Sequence, residues 1–416
     1  VVENFSVGSS ITYTNGNEIT ITPTADLSVG QDYHLSYPSG AFTNGDVSYV
    51  GTAYTFQART YSYELWAWGD NEQGNLAQNN EVSYSSPVQI PGTTWSQVGS
   101  GDDNQGGLAL KTDGTLWVWG LNSKGELGQN NETKYSSPVQ VPGTWSTIRG
   151  GRQYIAATKT DNTLWMWGNN QSYGQLGHNN QTNYSSPVQV PGTTWDDAPW
   201  GGYSGSVSAV KSDGTLWTWG YNSDGQLGVN DKENRSSPVQ VPGTTWSEAR
   251  IGNSVIATKT DGTLWTWGNN EYGGLGHNNT TDYSSPKQIP GTDWRVSVTD
   301  GSPIAQSAHN KVALKTDGTL WSWGRGSDGE GGWNTTTAKS SPYQLPGTTW
   351  RSVEADGNCF YAQKTDGTLW GWGHNEQGQL GQNNQIQYSS PVQIPGTDWN
   401  YEMIGGRYIG FAIKKI

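Results

Sequence analysis

Five histidines, His34, His178, His277, His309 and His374, are the only imidazoles in the 416 residues. None stands beside a cysteine or a second histidine at the spacing a metal ion needs. Cys359 is the single cysteine, which excludes an internal disulfide framework and a cysteine-rich zinc site. The acidic pairs Asp102-Asp103 and Asp196-Asp197 are sequence neighbours, and neighbours in a strand point to opposite faces, so they make poor partners in one acid–base task. No G-x-S-x-G elbow supports a serine nucleophile. Asparagine-rich loops such as Gly125 to Asn131 offer carbonyl oxygens but lack the clustered acids of a calcium loop, and read as turn formers. The expectation is a chain with no catalytic residues, no metal site and no cofactor.

Charge narrows the partners. There are 36 acids against 23 bases, a net of −13. Nucleic-acid affinity comes largely from lysines and arginines that displace counterions, so this balance argues against it, and against anionic membrane surfaces. No apolar stretch approaches the ~18 residues that would span a bilayer as a helix. With 23 tryptophans, 21 tyrosines and only 14% charged residues, the chain is not of the disordered class. Residue 1 is Val and no secretory leader pattern surrounds it, so a processed chain, or a piece of a longer one, is expected.

The elements that must position any site come from a repeat of about fifty residues. A W-x-W-G motif begins at Trp66, Trp117, Trp165, Trp217, Trp265, Trp321 and Trp370. Each is followed by Ser-Ser-Pro, then Pro-Gly, then a third tryptophan: Trp95, Trp145, Trp195, Trp246, Trp294, Trp350 and Trp399. Within a unit, an apolar run ending in lysine leads through Asp-Gly into the W-x-W strand. Asp-Gly between apolar strands signals a hairpin, here expected as a type I′ turn. A third strand precedes Pro-Gly and a fourth begins at the third tryptophan. Four-stranded units at this period point to an all-β, seven-bladed β-propeller. Its ring should close by pairing Gly410–Lys414 with Glu64–Trp68, leaving no open edge between first and last blades. Repetition at fixed positions marks the tryptophans as architectural. The lysines before each turn (Lys111, Lys159, Lys211, Lys259, Lys315, Lys364 and Lys414) form a ring by symmetry and not a patch.

The run from Gly262 to Gly276, G-T-L-W-T-W-G-N-N-E-Y-G-G-L-G, resembles the signature of the RCC1-like repeat family (regulator of chromosome condensation). The resemblance covers roughly residues 61–416 and implies a seven-bladed propeller. Its members include nucleotide-exchange factors, a secreted β-lactamase inhibitor, a plant ultraviolet photoreceptor and bacterial or phage surface proteins. The photoreceptor's Gly-Trp-Arg-His-Thr stretch is absent here. Residues 1–58 do not repeat. Their alternating segments at Glu18–Thr22, Tyr33–Tyr37 and Tyr54–Phe56, with a turn at Asn15-Gly16, predict a small β-sandwich or β-hairpins. The stretch from Ile19–Pro23 through Leu27, Tyr33 and Phe42 to Tyr54–Phe56 resembles the later half of a bacterial Ig-like module of the surface-layer type. The expected division is therefore a partial Ig-like β segment, 1–58, and the propeller, 59–416.

Function in a near-uniform repeat belongs where the repeat is broken. The connection from third tryptophan to blade lysine is longest in the fifth unit, which holds Asp300 and His309, and in the third it carries Trp200 and Tyr203. Trp200 and Trp333 are the two tryptophans outside the pattern. In unit six, Arg325 and Gly326 replace the usual residues after W-x-W-G, and Gly331 replaces leucine. An out-of-register tryptophan on a loop is either a contact anchor or a local plug. The candidate partner-binding set is Trp200, Tyr203, Trp333, Arg325, Asp300, His309, Asp102, Asp103, Arg152 and Tyr154. The reading is a non-enzymatic recognition, adhesion or assembly module, displayed on a bacterial surface or a bacteriophage virion and binding a glycan or protein. The alternatives are a secreted inhibitor capping an enzyme, a scaffold, and a lyase or hydrolase in the channel, which would need inward acids and bases on several blades.

Overall fold

The computed structural model describes residues 63–415 except 101–105, 152, 202–203, 297–300, 357, 398 and 406–408, together with six short strands among the first 62 residues. The chain divides into two units, Val1–Ser62 and Tyr63–Ile416. That boundary lies a little beyond the expected 58/59, because the first propeller strand begins at Tyr63. In the first unit Ile11–Thr14 pairs with Glu18–Ile21, Asp32–Leu35 with Tyr54–Gln57, and Thr43–Asn44 with Val47–Ser48. The Asn15-Gly16 turn lies outside the described residues.

The second unit is seven antiparallel four-stranded sheets. Blade 1 comprises Trp95–Ser100, Gly106–Lys111, Leu116–Gly120 and Tyr135–Val141. Blade 2 begins at Thr147–Gly151, blade 3 at Trp200–Gly201, blade 4 at Trp246–Ile251, blade 5 at Ile304–Gln306 and blade 6 at Trp350–Asp356. Blade 7 takes its inner strands, Trp399–Gly405 and Ile409–Lys415, from the end of the chain and its outer ones, Tyr63–Gly69 and Tyr84–Ile90, from the start of the unit. Ile413 lies opposite Leu65, as the expected closure requires. Each innermost strand touches the next, and that of blade 7 touches that of blade 1, so the seven encircle one axis.

The second tryptophan of each W-x-W holds the ring together. Its indole is fully buried and its Nε1–H donates to a backbone carbonyl in the preceding blade's long loop: Trp119 to Asn75, Trp167 to Glu126, Trp219 to Gln175, Trp267 to Gln226, Trp323 to Gly274 and Trp372 to Glu330. Trp68 donates to Gln379 and completes the circle. A buried indole combines large apolar burial with one satisfied donor, which is why every interface repeats it.

The Asp-Gly hairpins depart from type I′. Gly114 has a positive φ of 78°, and Asp113 is not among the positive-φ residues. Gly114 N–H donates to Lys111 C=O and Lys111 N–H to Thr115 C=O, the three-residue connection in which a type I turn is followed by one left-handed residue. Asp113 Oδ1 accepts from the backbone N–H and hydroxyl of Thr115, and this holds the aspartate at ordinary φ. Asn162, φ 60°, fills the glycine position in blade 2. Beside each turn the blade lysine lies between two indoles; Lys159 Nζ is 5.2 Å from the Trp145 ring and 4.0 Å from Trp165. The same clamp recurs at Lys111, Lys211, Lys259, Lys315 and Lys364. These ammonium groups are thus engaged in cation–π contacts that tie the crossover to its blade. The loop asparagines are engaged as well: Asn122 Oδ1 accepts from Leu127 N–H while its Nδ2 donates to the carbonyls of Asn131 and Thr133.

Candidate functional site

The variable connections gather on one face. Gly106, which opens the second strand of blade 1, pairs with Gly120, which closes the third. The strand 1–2 connection and the long strand 3–4 loop therefore emerge at the same end of every blade, and the Asp-Gly turns at the other. On the loop face each pair of adjacent blades forms a notch from three equivalent positions: the residue before the loop glycine of one blade, and from the next blade the residue after W-x-W-G and the strand 1–2 turn. Five notches carry polar or aliphatic side chains at the first two positions: Lys124 with Asn169, Asp224 with Asn269, Asp328 with His374, Gln377 with Asp70, and Gln73 with Leu121.

Two notches are aromatic. Between blades 2 and 3, Tyr173 and Tyr221 stand 4.6 Å apart between ring centroids, with Tyr173 against the backbone of Gly205. Between blades 4 and 5, Tyr272 stands 4.7 Å from His309, with the Arg325 guanidinium 5.8 Å from the Tyr272 ring. Tyr272 is 37% exposed, one of few exposed large side chains with apolar surface. Arg325 is anchored from behind: its Nε donates to Ser327 Oγ at 2.6 Å and lies 3.5 Å from Glu330, and its Nη2 is 3.3 Å from Asp328. Burial, then the charges of Arg325 and Lys311, hold the His309 pKa below its ordinary value. The structure thus brings together two of the expected residues, His309 and Arg325, and adds Tyr272.

A second constellation occupies the axis. One register position of the inner strands carries Gly99, Arg149, Trp200, Arg250, Ala305 and Glu354, paired respectively with Leu108, Ala156, Ser208, Ile256, Val312 and Tyr361 of the second strands. The Trp200 ring lies between two guanidinium groups, 3.2 Å from that of Arg250 and 4.4 Å from that of Arg149. Arg250, 3% exposed, forms two parallel 2.8 Å bonds to Glu354 and a 3.0 Å bond to Glu248. Burial alone would pull the Arg250 pKa down, but Glu354 and then Glu248 raise it above its ordinary value. Ser302 of blade 5 donates its hydroxyl to Glu248, and Arg149 pairs with Asp197 at 3.1 Å. Inward acids and bases therefore do exist on several blades, and they neutralise one another.

The remaining expected residues are placed as follows. Trp200 is on a two-residue innermost strand and not on a loop, half-buried against the arginines. Tyr154 is buried, its ring beneath Gly151 and Gly201; a Cβ on Gly201 would fall within 1.6 Å of the phenol oxygen. Trp333 is buried too, and its place has a cause. In other blades a leucine fills this pocket, as Leu127 and Leu275 do. In blade 5 that residue is Gly331, and a Cβ there would lie 2.2 Å from the Trp333 ring, which occupies the space and donates from Nε1 to Thr337 C=O. Tyr154 and Trp333 thus present no phenol or indole surface to a partner. Tyr203, Asp300, Asp102, Asp103 and Arg152 lie outside the described residues. We expect Trp333→Ala to cost roughly 3–5 kcal/mol through the cavity it leaves, and Gly331→Leu about 1–3 kcal/mol through collision with the indole. The pair Gly331→Leu with Trp333→Gln, which recreates the Leu-Gly-Gln of blade 1, should recover most of the loss in urea unfolding.

Sequence reasoning missed Lys311, which is fully buried and donates from Nζ to Ser254 Oγ at 2.7 Å. It stands opposite the second tryptophan of blade 5, where blades 2, 3, 4 and 6 place Ile155, Val207, Val255 and Phe360. Alignment of the repeats on that tryptophan carries the signal.

The fold and this face define a class: closed seven-bladed propellers of tryptophan repeats that gather their variable loops at one end. The regulator of chromosome condensation (RCC1) repeat matches residues 64–104, 113–157, 161–195, 213–254, 261–302 and 366–406, and the chain belongs to that family. The longest stretch without a match inside the propeller, 303–365, spans the divergent blade 5 repeat. The chain is 26% identical over 192 residues to the ultraviolet-B receptor UVR8 of Arabidopsis thaliana, covering 44% of this chain and 43% of UVR8. It is 28% identical over 211 residues to the mitochondrial RCC1 domain-containing protein RUG3 of the same plant, covering 47% of each. The matches thus span less than half the length of these relatives. Among solved structures, yeast RCC1 (Prp20), crystallised bound to Kap60, superposes with a TM-score of 0.73 at 19% identity over 85% of this chain and 89% of that one. Human WBSCR16 gives 0.71 at 19% over 86% and 99%. At that identity the likeness is one of fold.

Proposed function

We propose that the chain is a non-enzymatic recognition module that holds a glycan or protein partner on the loop face of its propeller, displayed on a bacterial surface or a bacteriophage virion. One observation carries the reading: the repeat is broken by aromatic side chains in two equivalent notches, Tyr173 with Tyr221 and Tyr272 with His309, on the face where the connections vary. Tyrosine supplies contact area at low entropy cost. The axial acids and bases are engaged with one another, as in the Arg250–Glu354 and Arg149–Asp197 pairs, which favours binding over acid–base chemistry there. Relatives on this repeat include a receptor, and Prp20 was crystallised with a protein partner. The surface assignment rests on the polar, little-diverged Asn/Ser/Thr/Tyr repeats and on the Ig-like resemblance of the first residues.

The test is saturable binding of the full chain to whole bacterial cells, envelope fractions and purified virions. The expected result is binding that Tyr272→Ala with Tyr173→Ala abolishes at unchanged melting temperature. Absence of binding to every cell, envelope and virion component would overturn the reading.

A further inference from the structure

We infer that the notch between blades 4 and 5 is a subsite for a neutral sugar ring, with Tyr272 as its platform, and that the Tyr173–Tyr221 notch is a second, equivalent subsite. The inference rests on the loop face being the recognition surface and names the ligand class. A pyranose presents an apolar C–H face bordered by hydroxyls that both donate and accept. An exposed phenol ring flanked by donors and acceptors is the matching surface. At the first notch Tyr272 supplies the ring, His309 stands beside it, and Glu271 and Asn269 lie on the adjoining loop. At the second, Tyr173 and Tyr221 are half-buried, and Tyr173 stands against Gly205, whose neighbour Ser204 bonds Ser206 through its hydroxyl.

Charge selects a neutral sugar over an acidic one. Arg325 is the cation nearest the Tyr272 ring among the described contacts, and it already faces Asp328 and Glu330. Its charge is balanced before any ligand arrives, and Glu271 stands exposed next to Tyr272. No ionisable cation or carboxylate is among the described contacts of the Tyr173–Tyr221 pair. A sialylated or uronic-acid ring would meet net negative charge at one site and, among the described contacts, no counter-charge at the other. The whole chain, at −13, adds to that repulsion.

The platforms differ from a protein-docking patch in scale. Each is one or two rings wide, and the polar notch between blades 3 and 4, with Asp224 and Asn269, separates them. A protein partner needs a contiguous area of about 800 Å² on each side. Two separated single-ring platforms in equivalent positions suit a repeating oligosaccharide engaged at two sugars, where linked weak contacts gain through effective concentration.

The experiment is saturation-transfer NMR and frontal affinity chromatography of the full chain with cellohexaose, chitohexaose, mannohexaose and maltohexaose, and with oligosialic acid and oligogalacturonate as anionic probes. At least one neutral hexasaccharide should bind, with its ring protons saturated most strongly. Tyr272→Ala should weaken it roughly tenfold, Tyr272→Phe should keep it, and Tyr272→Ala with Tyr173→Ala should abolish it at unchanged melting temperature. Binding of the anionic probes alone, binding indifferent to Tyr272→Ala, or no binding of any sugar overturns the inference. In the last case, envelope or virion binding that survives periodate treatment of the target but not protease treatment leaves the recognition reading standing and the sugar assignment false.

Discussion

Lys311→Met should make the protein more stable at neutral pH, by about 2–4 kcal/mol, with the gain fading as pH rises towards 10. Burial holds the Lys311 pKa down at about 7 against an ordinary 10.5. Such a shift corresponds to a cost on the order of 5 kcal/mol, at about 1.36 kcal/mol per unit. Because the folded pKa is the depressed one, the unfolded chain binds the extra proton between pH 7 and 10.5. The stability of the native chain therefore rises with pH across that window, and the full penalty stands below the folded value. Methionine fills a similar volume without a charge, but it leaves Ser254 Oγ without its ammonium donor, which takes back about 1–2 kcal/mol. Among the described residues no carboxylate acts on Lys311, and burial is the one cause of its lowered pKa. Urea midpoints for the native chain and the variant at a series of pH values from mildly acidic to alkaline provide the check. A variant that is less stable at neutral pH, or a difference that does not shrink with pH, would show that Lys311 is held by something other than Ser254.

The parts of this architecture that repeat are readable from the chain because each solves the same local problem seven times. W-x-W-G marks a strand whose second indole must find a carbonyl in the preceding blade, and the closure of Ile413 on Leu65 follows from counting strands. The turn type is not legible, because Asp-Gly alone does not reveal that Asp113 is captured by Thr115. Trp333 reads as a contact anchor when considered alone, although Gly331, two residues before it, is the signal of a vacated pocket. The axial cluster is hidden for a different reason. Its members are single residues on the least regular strand of each blade, two residues long at Trp200–Gly201 and three at Ile304–Gln306. Its central pair joins positions 104 residues apart, so no local spacing reports it. Lys311 falls between these cases: invisible as a lone lysine, conspicuous once its register with Trp323 is known.

Removal of the axial guanidinium should have the opposite sign from removal of the buried ammonium. Lys311 has one neutral hydrogen-bond partner, whereas Arg250 has two carboxylates and an indole. Desolvation costs both, but only Arg250 recovers it through charge-assisted, bidentate bonds. Arg250→Met should therefore lower stability by about 3–5 kcal/mol, because Glu354 and Glu248 stay largely buried without a counter-charge. Arg250→Lys should lose less, since it keeps the charge and forfeits the parallel pair. Combining Arg250→Met with Glu354→Gln and Glu248→Gln should restore much of the loss, because no unpaired charge is then left inside. In a double-mutant cycle read by urea unfolding, Arg250 and Glu354 should couple by roughly 1–3 kcal/mol. The exposed pair Lys134 and Glu81, run as a control, should couple by less than about 1 kcal/mol. Equal couplings for the two pairs would mean that the axial ion pair gains nothing from its burial.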